Sequence, residues 1–108
     1  MAQDFERNTS NAVGTSAATL RTANSDDAIV GIMIANVATS QINVEVYIND
    51  GSNDIHLVKD APIPVGSSLQ VLDGGAKIVM QNGDALKVKS DTASSADVWV
   101  SVVDAIST

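Results

Sequence analysis

The chain holds a single histidine, His56, and no cysteine, so thiolate chemistry, disulfides and cysteine metal sites are all outside its reach. An acyl-transfer centre built on His56 would need an orienting partner for the ring and a nearby hydroxyl nucleophile. His56 alternates with Ile55 and Leu57, which turns its side chain away from theirs, toward solvent or a neighbouring subunit. The serines fall in turns and loops, and Gly66-Ser67-Ser68 lacks the flanks of the G-x-S-x-G elbow. Asp50, Ser52 and Asp54 stand at alternate positions, as the first ligands of a calcium loop do. Ile55 occupies the place of the required glycine, however, and no glutamate closes the loop. Eleven Asp against two Glu, many in turn positions, reads as turn chemistry rather than as a glycosidase pair. The expectation is a protein with no catalytic residues, no metal and no cofactor.

What remains is binding chemistry. Tyr47 and Trp99 each lie on the less apolar parity of a strand; core packing or a subunit contact is the favoured reading of either ring, with an exposed platform for a sugar as the alternative. Six basic and thirteen acidic side chains give a formal charge of −7, which sets the surface against nucleic acid and anionic membranes. The same charge suits a subunit that must stay dispersed before it assembles. No apolar run approaches the roughly 20 residues of a membrane span. Residues 1–16 lack both the basic start and the apolar stretch of a secretory signal, so neither is expected.

These residues must be positioned by strands. Three aromatics against 30 Val, Ile and Thr make a core of β-branched aliphatics, and 108 residues suffice for one domain. Residues 1–16 show no periodicity and read as an N-terminal arm with Phe5 and Val13 as its large apolar side chains, leaving residues 17–108 as the domain. Strands are expected at 17–22, 28–37, 41–49, 55–59, 68–72, 77–81, 85–90 and 97–106. The second has apolar residues on both parities, as in a strand covered on both faces. The third alternates without error, with Ile42, Val44, Val46 and Ile48 on one face. Asp50-Gly51, Asp73-Gly74-Gly75 and Asn82-Gly83-Asp84 are turn signals, and Pro62 and Pro64 confine 61–66 to a crossing loop or a sheet edge. The economical architecture is all-β: a single-domain antiparallel β-sandwich of about eight strands with an extended arm. Immunoglobulin-like and jelly-roll orders both satisfy the pattern, with a slight lean to the former.

The stretch Lys59-Asp60-Ala61-Pro62-Ile63-Pro64-Val65-Gly66-Ser67-Ser68-Leu69, followed by Asp73-Gly74-Gly75-Ala76-Lys77-Ile78-Val79-Met80 and then Asn82-Gly83-Asp84, resembles small structural proteins of tailed-phage particles. These are short proteins, widespread in phages of cyanobacteria and other aquatic bacteria, that join an APIPVG loop to a GGAK turn and a GD turn. The likeness extends to Val13-Gly14-Thr15-Ser16 and to Asp97-Val98-Trp99-Val100-Ser101-Val102-Val103, and so covers most of the chain. It implies a non-enzymatic β-sandwich subunit located in the virion and present in multiple copies.

The expected role is capsid decoration or cement, with a neck, tail or fibre component as the alternative and a glycan-binding or adhesion module as the alternative of a different class. Expected partners are the major capsid protein or neck and tail proteins, and further copies of the chain. Phe5 and Val13 are expected to anchor the arm on a neighbour, its backbone free for strand addition. Pro62, an exposed-type Ile63 and Pro64 would shield an edge from indiscriminate pairing. Tyr47, His56 and Trp99 complete the expected interface.

Overall fold

A computed structural model describes residues 4–72 and 77–106. They form nine strands: β1 (Asp4–Val13), β2 (Ala18–Thr22), β3 (Asp27–Asn36), β4 (Ile42–Asn49), β5 (Asp54–Ile63), β6 (Ser68–Leu72), β7 (Ile78–Met80), β8 (Ala85–Ser90) and β9 (Ala96–Asp104). The alternation of β4 has the expected outcome, with Ile42, Val44, Val46 and Ile48 all buried on one face. The eight expected strands are present, β5 continuing through Pro62 to Ile63. The ninth is made from the segment read as an arm. Asp73-Gly74-Gly75 lies outside the described residues.

Every pairing is antiparallel, and the strands divide into a β1-β9-β3-β6 sheet, with β7 also on β3, and a β2-β8-β4-β5 sheet. The tight β4–β5 hairpin explains this order. Beyond it the two arms of the chain stay in partnership, β3 with β6 and β7, β2 with β8, β1 with β9, while successive partnerships fall on alternate sheets. A long two-stranded ribbon rolled up in this way is a jelly roll, which resolves the strand order against the immunoglobulin-like lean. The core lies between the sheets and is aliphatic, with Ile32, Ile34, Val98, Val100 and Val102 from one sheet meeting Val44, Val46, Leu86 and Val88 from the other.

β1 corrects the expectation of an arm lying across a neighbouring subunit. It is extended, but it runs along β9 of its own sheet from Asp4↔Asp104 to Val13↔Ala96. Its lack of periodicity has a physical reason: β1 is a sheet edge, exposed along most of its length, so neither face demands apolar alternation. The register slips between Ser10 and Val13, where Ala12 takes φ 53° and donates its amide to Asp97 Oδ1 at 2.9 Å. That bulge turns Val13 into the core, where it is 4% exposed. Val13 is therefore packed in its own domain and is not presented to a neighbour.

Two more bulges orient the interior. In β2 the pairing jumps from Thr19↔Lys87 to Arg21↔Leu86, so Arg21 shares the inward face of the fully buried Leu86. In β3 the jump between Ile29 and Gly31 brings Asp27, Ile29 and Ile32 all inward. The bulges thus put a guanidinium and a carboxylate between the sheets at the β1–β2 edge.

Candidate functional site

The outer face of the β1-β9-β3-β6 sheet is the most apolar exposed surface among the described residues. Val98, Val100 and Val102 point inward, so Asp97, Trp99, Ser101 and Val103 point out, and the register carries that face across the sheet in rows. One row is Thr9, Trp99, Met33 and Gln70; the next is Arg7, Ser101 and Gly31; the third is Phe5, Val103, Ala28 and Val79. Trp99 is 49% exposed, Met33 44%, Val79 58% and Phe5 86%. The Arg7 guanidinium sits 5.3 Å from the centre of the Trp99 ring, within cation–π range. A concavity of about 520 Å³ opens beside it, lined by Arg7, Thr9, Asn11, Asp97 and Trp99 among others. Smaller hollows of about 160 Å³ lie on the Met33 side of the ring and over Gly31 and Ser101.

Two expectations meet this face. Trp99 is at the surface, a choice its parity left open. The reading of β3 as covered on both faces is corrected in its second half, where Met33 is exposed and Val37 just beyond is 52% exposed. Ile32 and Ile34 fill the core, but no second layer lies over the Met33 side among the described residues. Sequence reasoning missed Met33 and Arg7 as surface neighbours of Trp99, because only the β3–β9 and β1–β9 registers bring them together.

The opposite sheet presents a polar outer face. Glu45 on β4 accepts from Lys59 Nζ at 3.2 Å, lies 2.9 Å from His56 Nε2 and 3.9 Å from Lys89 Nζ. The hydrogen bond with His56, then that with Lys59, holds the Glu45 carboxyl below its ordinary value against a small opposing burial effect. Tyr47 packs beside His56 with ring centres 5.0 Å apart, and burial, then the charges of Asp54 and Glu45, raises its phenol. His56 thus has the carboxylate partner that the sequence left unidentified, in a surface charge cluster shared with two lysines.

Pro62 and Pro64 are exposed, and Pro62 lies on β5, an edge of its sheet, as the two prolines indicated. Ile63 is corrected: it is 1% exposed and part of the core. The bulged pairing around Asp60, which takes φ 56°, resets the β5 register so that Ile63 faces inward opposite Ile42. At the hairpin tip, Asp50 Oδ1 accepts the amides of Ser52 and Asn53 at 3.0 and 2.8 Å, and Asn49 Nδ2 donates to Asp54 at 2.7 Å. The carboxylates of the calcium-like spacing are thus engaged with their own turn, and the Asn53 and Ser52 amides keep Asp50 below its ordinary value.

A third polar group lies at the β1–β2 edge. Arg21, its side chain 9% exposed, reaches Asp27 at 2.8 Å, Glu6 at 3.0 Å and Asp104 at 3.1 Å, and also donates to Asn8. Burial would raise Asp27, but hydrogen bonds from Arg21, Asp104 and the Ala105 amide, with the charge of Arg21, outweigh it and hold the carboxyl down. Asp104 moves up, because of its hydrogen bond with Asp27, its partial burial and the charge of Asp27. The arrangement pins three strands of one sheet to one strand of the other.

No protein-family model and no curated protein matches the chain. Among solved structures it is similar to one described as "Bacillus endospore appendages form a novel family of disulfide-linked pili", with a TM-score of 0.55 and 14% identity, covering 94% of this chain and 84% of that one. The likeness is one of fold: a compact, all-β two-sheet domain.

Proposed function

We propose that this protein is a non-enzymatic structural subunit of a multi-copy particle, and specifically a decoration or cement subunit on the capsid of a tailed phage. The observation that carries the reading is the exposed row structure of Phe5, Val79, Met33 and Trp99 on one sheet face, while Arg21, Asp27, Glu45 and Asp50 are engaged in ion pairs and turns elsewhere. An apolar face of this kind stabilises a contact and offers no chemistry. The phage-like motifs support the virion assignment. The fold neighbour, an appendage subunit by its description, supports assembly as the general theme. The pili of that description are disulfide-linked, whereas this chain has no cysteine and would have to join its copies without disulfides.

A lattice binder needs an interface of roughly 800 Å² per partner, and repetition raises its avidity without further contacts. Neck, tail or fibre placement uses the same physics. The test mixes the purified protein with separated phage heads and tails and with a glycan panel. Saturable binding to heads supports capsid decoration; binding to tails alone moves the subunit there. A second reading, glycan binding, is favoured by one feature: the concavity beside Trp99 carries Arg7, Thr9, Asn11 and Asp97, the mixture of ring and hydrogen-bonding groups that suits a sugar. Glycan binding lost in Trp99→Ser, with no affinity for particles, would establish it instead.

A further inference from the structure

We propose that the outer face of the β1-β9-β3-β6 sheet is a self-association surface, closed by a second copy of this chain packed against it face to face. The proposal deepens the multi-copy reading above and rests on it only for its biological use, because self-association is a property of the free protein.

The relief of the face is the first argument. Trp99 and Met33, cross-strand neighbours, make one ridge; Phe5, Val103 and Val79 make another; between them Gly31 and Ser101 floor a valley, closed at its β1 end by Arg7, whose guanidinium leans over Trp99. The hollow over Gly31 and Ser101 holds about 160 Å³ and is bounded by Met33 and Trp99. A Cβ added at Gly31 would meet nothing closer than 3.8 Å, so the valley is open above the backbone. A ridge beside a valley allows self-complementary packing: the Trp99 ridge of each copy seats in the Gly31–Ser101 valley of the other, as a two-fold interface requires.

Charge is the second argument. The three rows contain one charged side chain, Arg7, in a chain of net charge −7. Two copies that meet on these three rows bring no carboxylates together there, the neighbouring Asp97 being engaged by the Ala12 amide, whereas the other outer face presents Glu45 and the hairpin acids. Area is the third. Three strands of nine or ten residues, with the shorter β6 and β7 in the fourth position, spaced about 4.8 Å apart, present roughly 600 Å² in projection over the whole sheet. That is the scale of the roughly 800 Å² of accessible surface each partner buries in a stable complex.

Sedimentation velocity on the full-length protein, from about 1 µM to about 500 µM, tests the idea across weak to moderate association. A concentration-dependent dimer is expected. Trp99→Ser should weaken it at least about tenfold, equivalent to about 1.4 kcal/mol. Ser101→Glu, which alters no core side chain and can be checked for folding by its thermal melt, should weaken it by at least as much. Tyr47→Ser, on the opposite sheet, should leave it unchanged. A wild-type chain that stays monomeric throughout, a dimer indifferent to Ser101→Glu, or one lost equally in Tyr47→Ser would each overturn the proposal. So would a monomer that binds a glycan through Trp99. A monomer that still binds phage heads removes this interface while leaving the proposed function standing, and a dimer without affinity for particles does the reverse.

Discussion

Arg21 Nε donates to Asp27 Oδ2 at 2.8 Å, across the gap between the two sheets, with the carboxylate wholly out of solvent. Each side chain reaches the other only because a β-bulge in its strand turns it inward. Breaking a buried pair by removing one partner strands the other charge in a poor solvent. Asp27→Asn should therefore lower unfolding free energy by about 3 kcal/mol. Arg21→Ala should cost at least as much, since it leaves Asp27, Asp104 and Glu6 to repel one another. Urea unfolding of the three proteins measures both, and a Asp27→Asn midpoint equal to the parent's would show that the pair contributes nothing.

Acid stability should separate the two aspartates of this group. Asp27 is held low, so its contribution is present above the ordinary carboxylate range and is lost as pH falls through its folded value. Asp104 is raised, so its contribution is full below its unfolded value and disappears as pH rises through its folded value. Asp104→Asn should therefore compare best with the parent toward high pH and lose ground on acidification. The penalty of Asp27→Asn should do the opposite to stability, being greatest at neutral pH and shrinking below pH 4, roughly the ordinary carboxylate value. Thermal melts across a pH series show whether the two difference curves slope in these directions.

The strands were legible because β-branched alternation and Asp-Gly or Asn-Gly turns act locally: β4 is correct from Ile42 to Asn49, and Gly51 and Gly83 both take positive φ at their turns. The bulges were not. Nothing in Ser10–Val13, Thr19–Arg21 or Asp60–Ile63 announces a register slip, which depends on the partner strand, yet such slips decide that Val13 and Ile63 are core and that Arg21 is buried. The jelly-roll order is likewise a matter of which strands meet. Of the candidate interface, parity set Trp99 on the less apolar side of its strand without deciding between core and surface, and its neighbours Met33 and Arg7 required the β3 and β1 registers.

The edge-guarding role expected of the prolines centres on Pro62 and can be tested directly. Pro62 lies on the edge strand β5 opposite Asn43 and is exposed, so the missing amide denies a ladder bond to an incoming strand. Replacing Pro62 and Pro64 with Ala should increase aggregation of the free protein, seen as rising light scattering at constant thermal stability; a flat trace would remove the edge-guarding role. Ile63 belongs to stability instead. At 1% exposure, Ile63→Ala should cost about 2–5 kcal/mol by the usual scale of core truncation.

Deletion of residues 2–12 distinguishes a free arm from a structural strand. A free arm could be removed without harm to the domain, and only incorporation into a particle would suffer. β1, however, satisfies the edge of β9 from Asp4 to Ser10, supplies Glu6 and Asn8 to Arg21, and carries the bulge that seats Val13. Its loss would uncover β9, an apolar strand with Val98, Val100 and Val102 on its inner face, as a new unguarded edge. The truncated chain should therefore melt at lower temperature and aggregate, before any question of assembly arises. Val13→Ala in the intact chain isolates the packing part of that loss, with an expected cost of about 1–3 kcal/mol for a buried aliphatic side chain. If the truncated protein instead melts as the parent does and remains monomeric, β1 is held only loosely to its own domain and is free to pair with the β9 edge of a neighbouring copy.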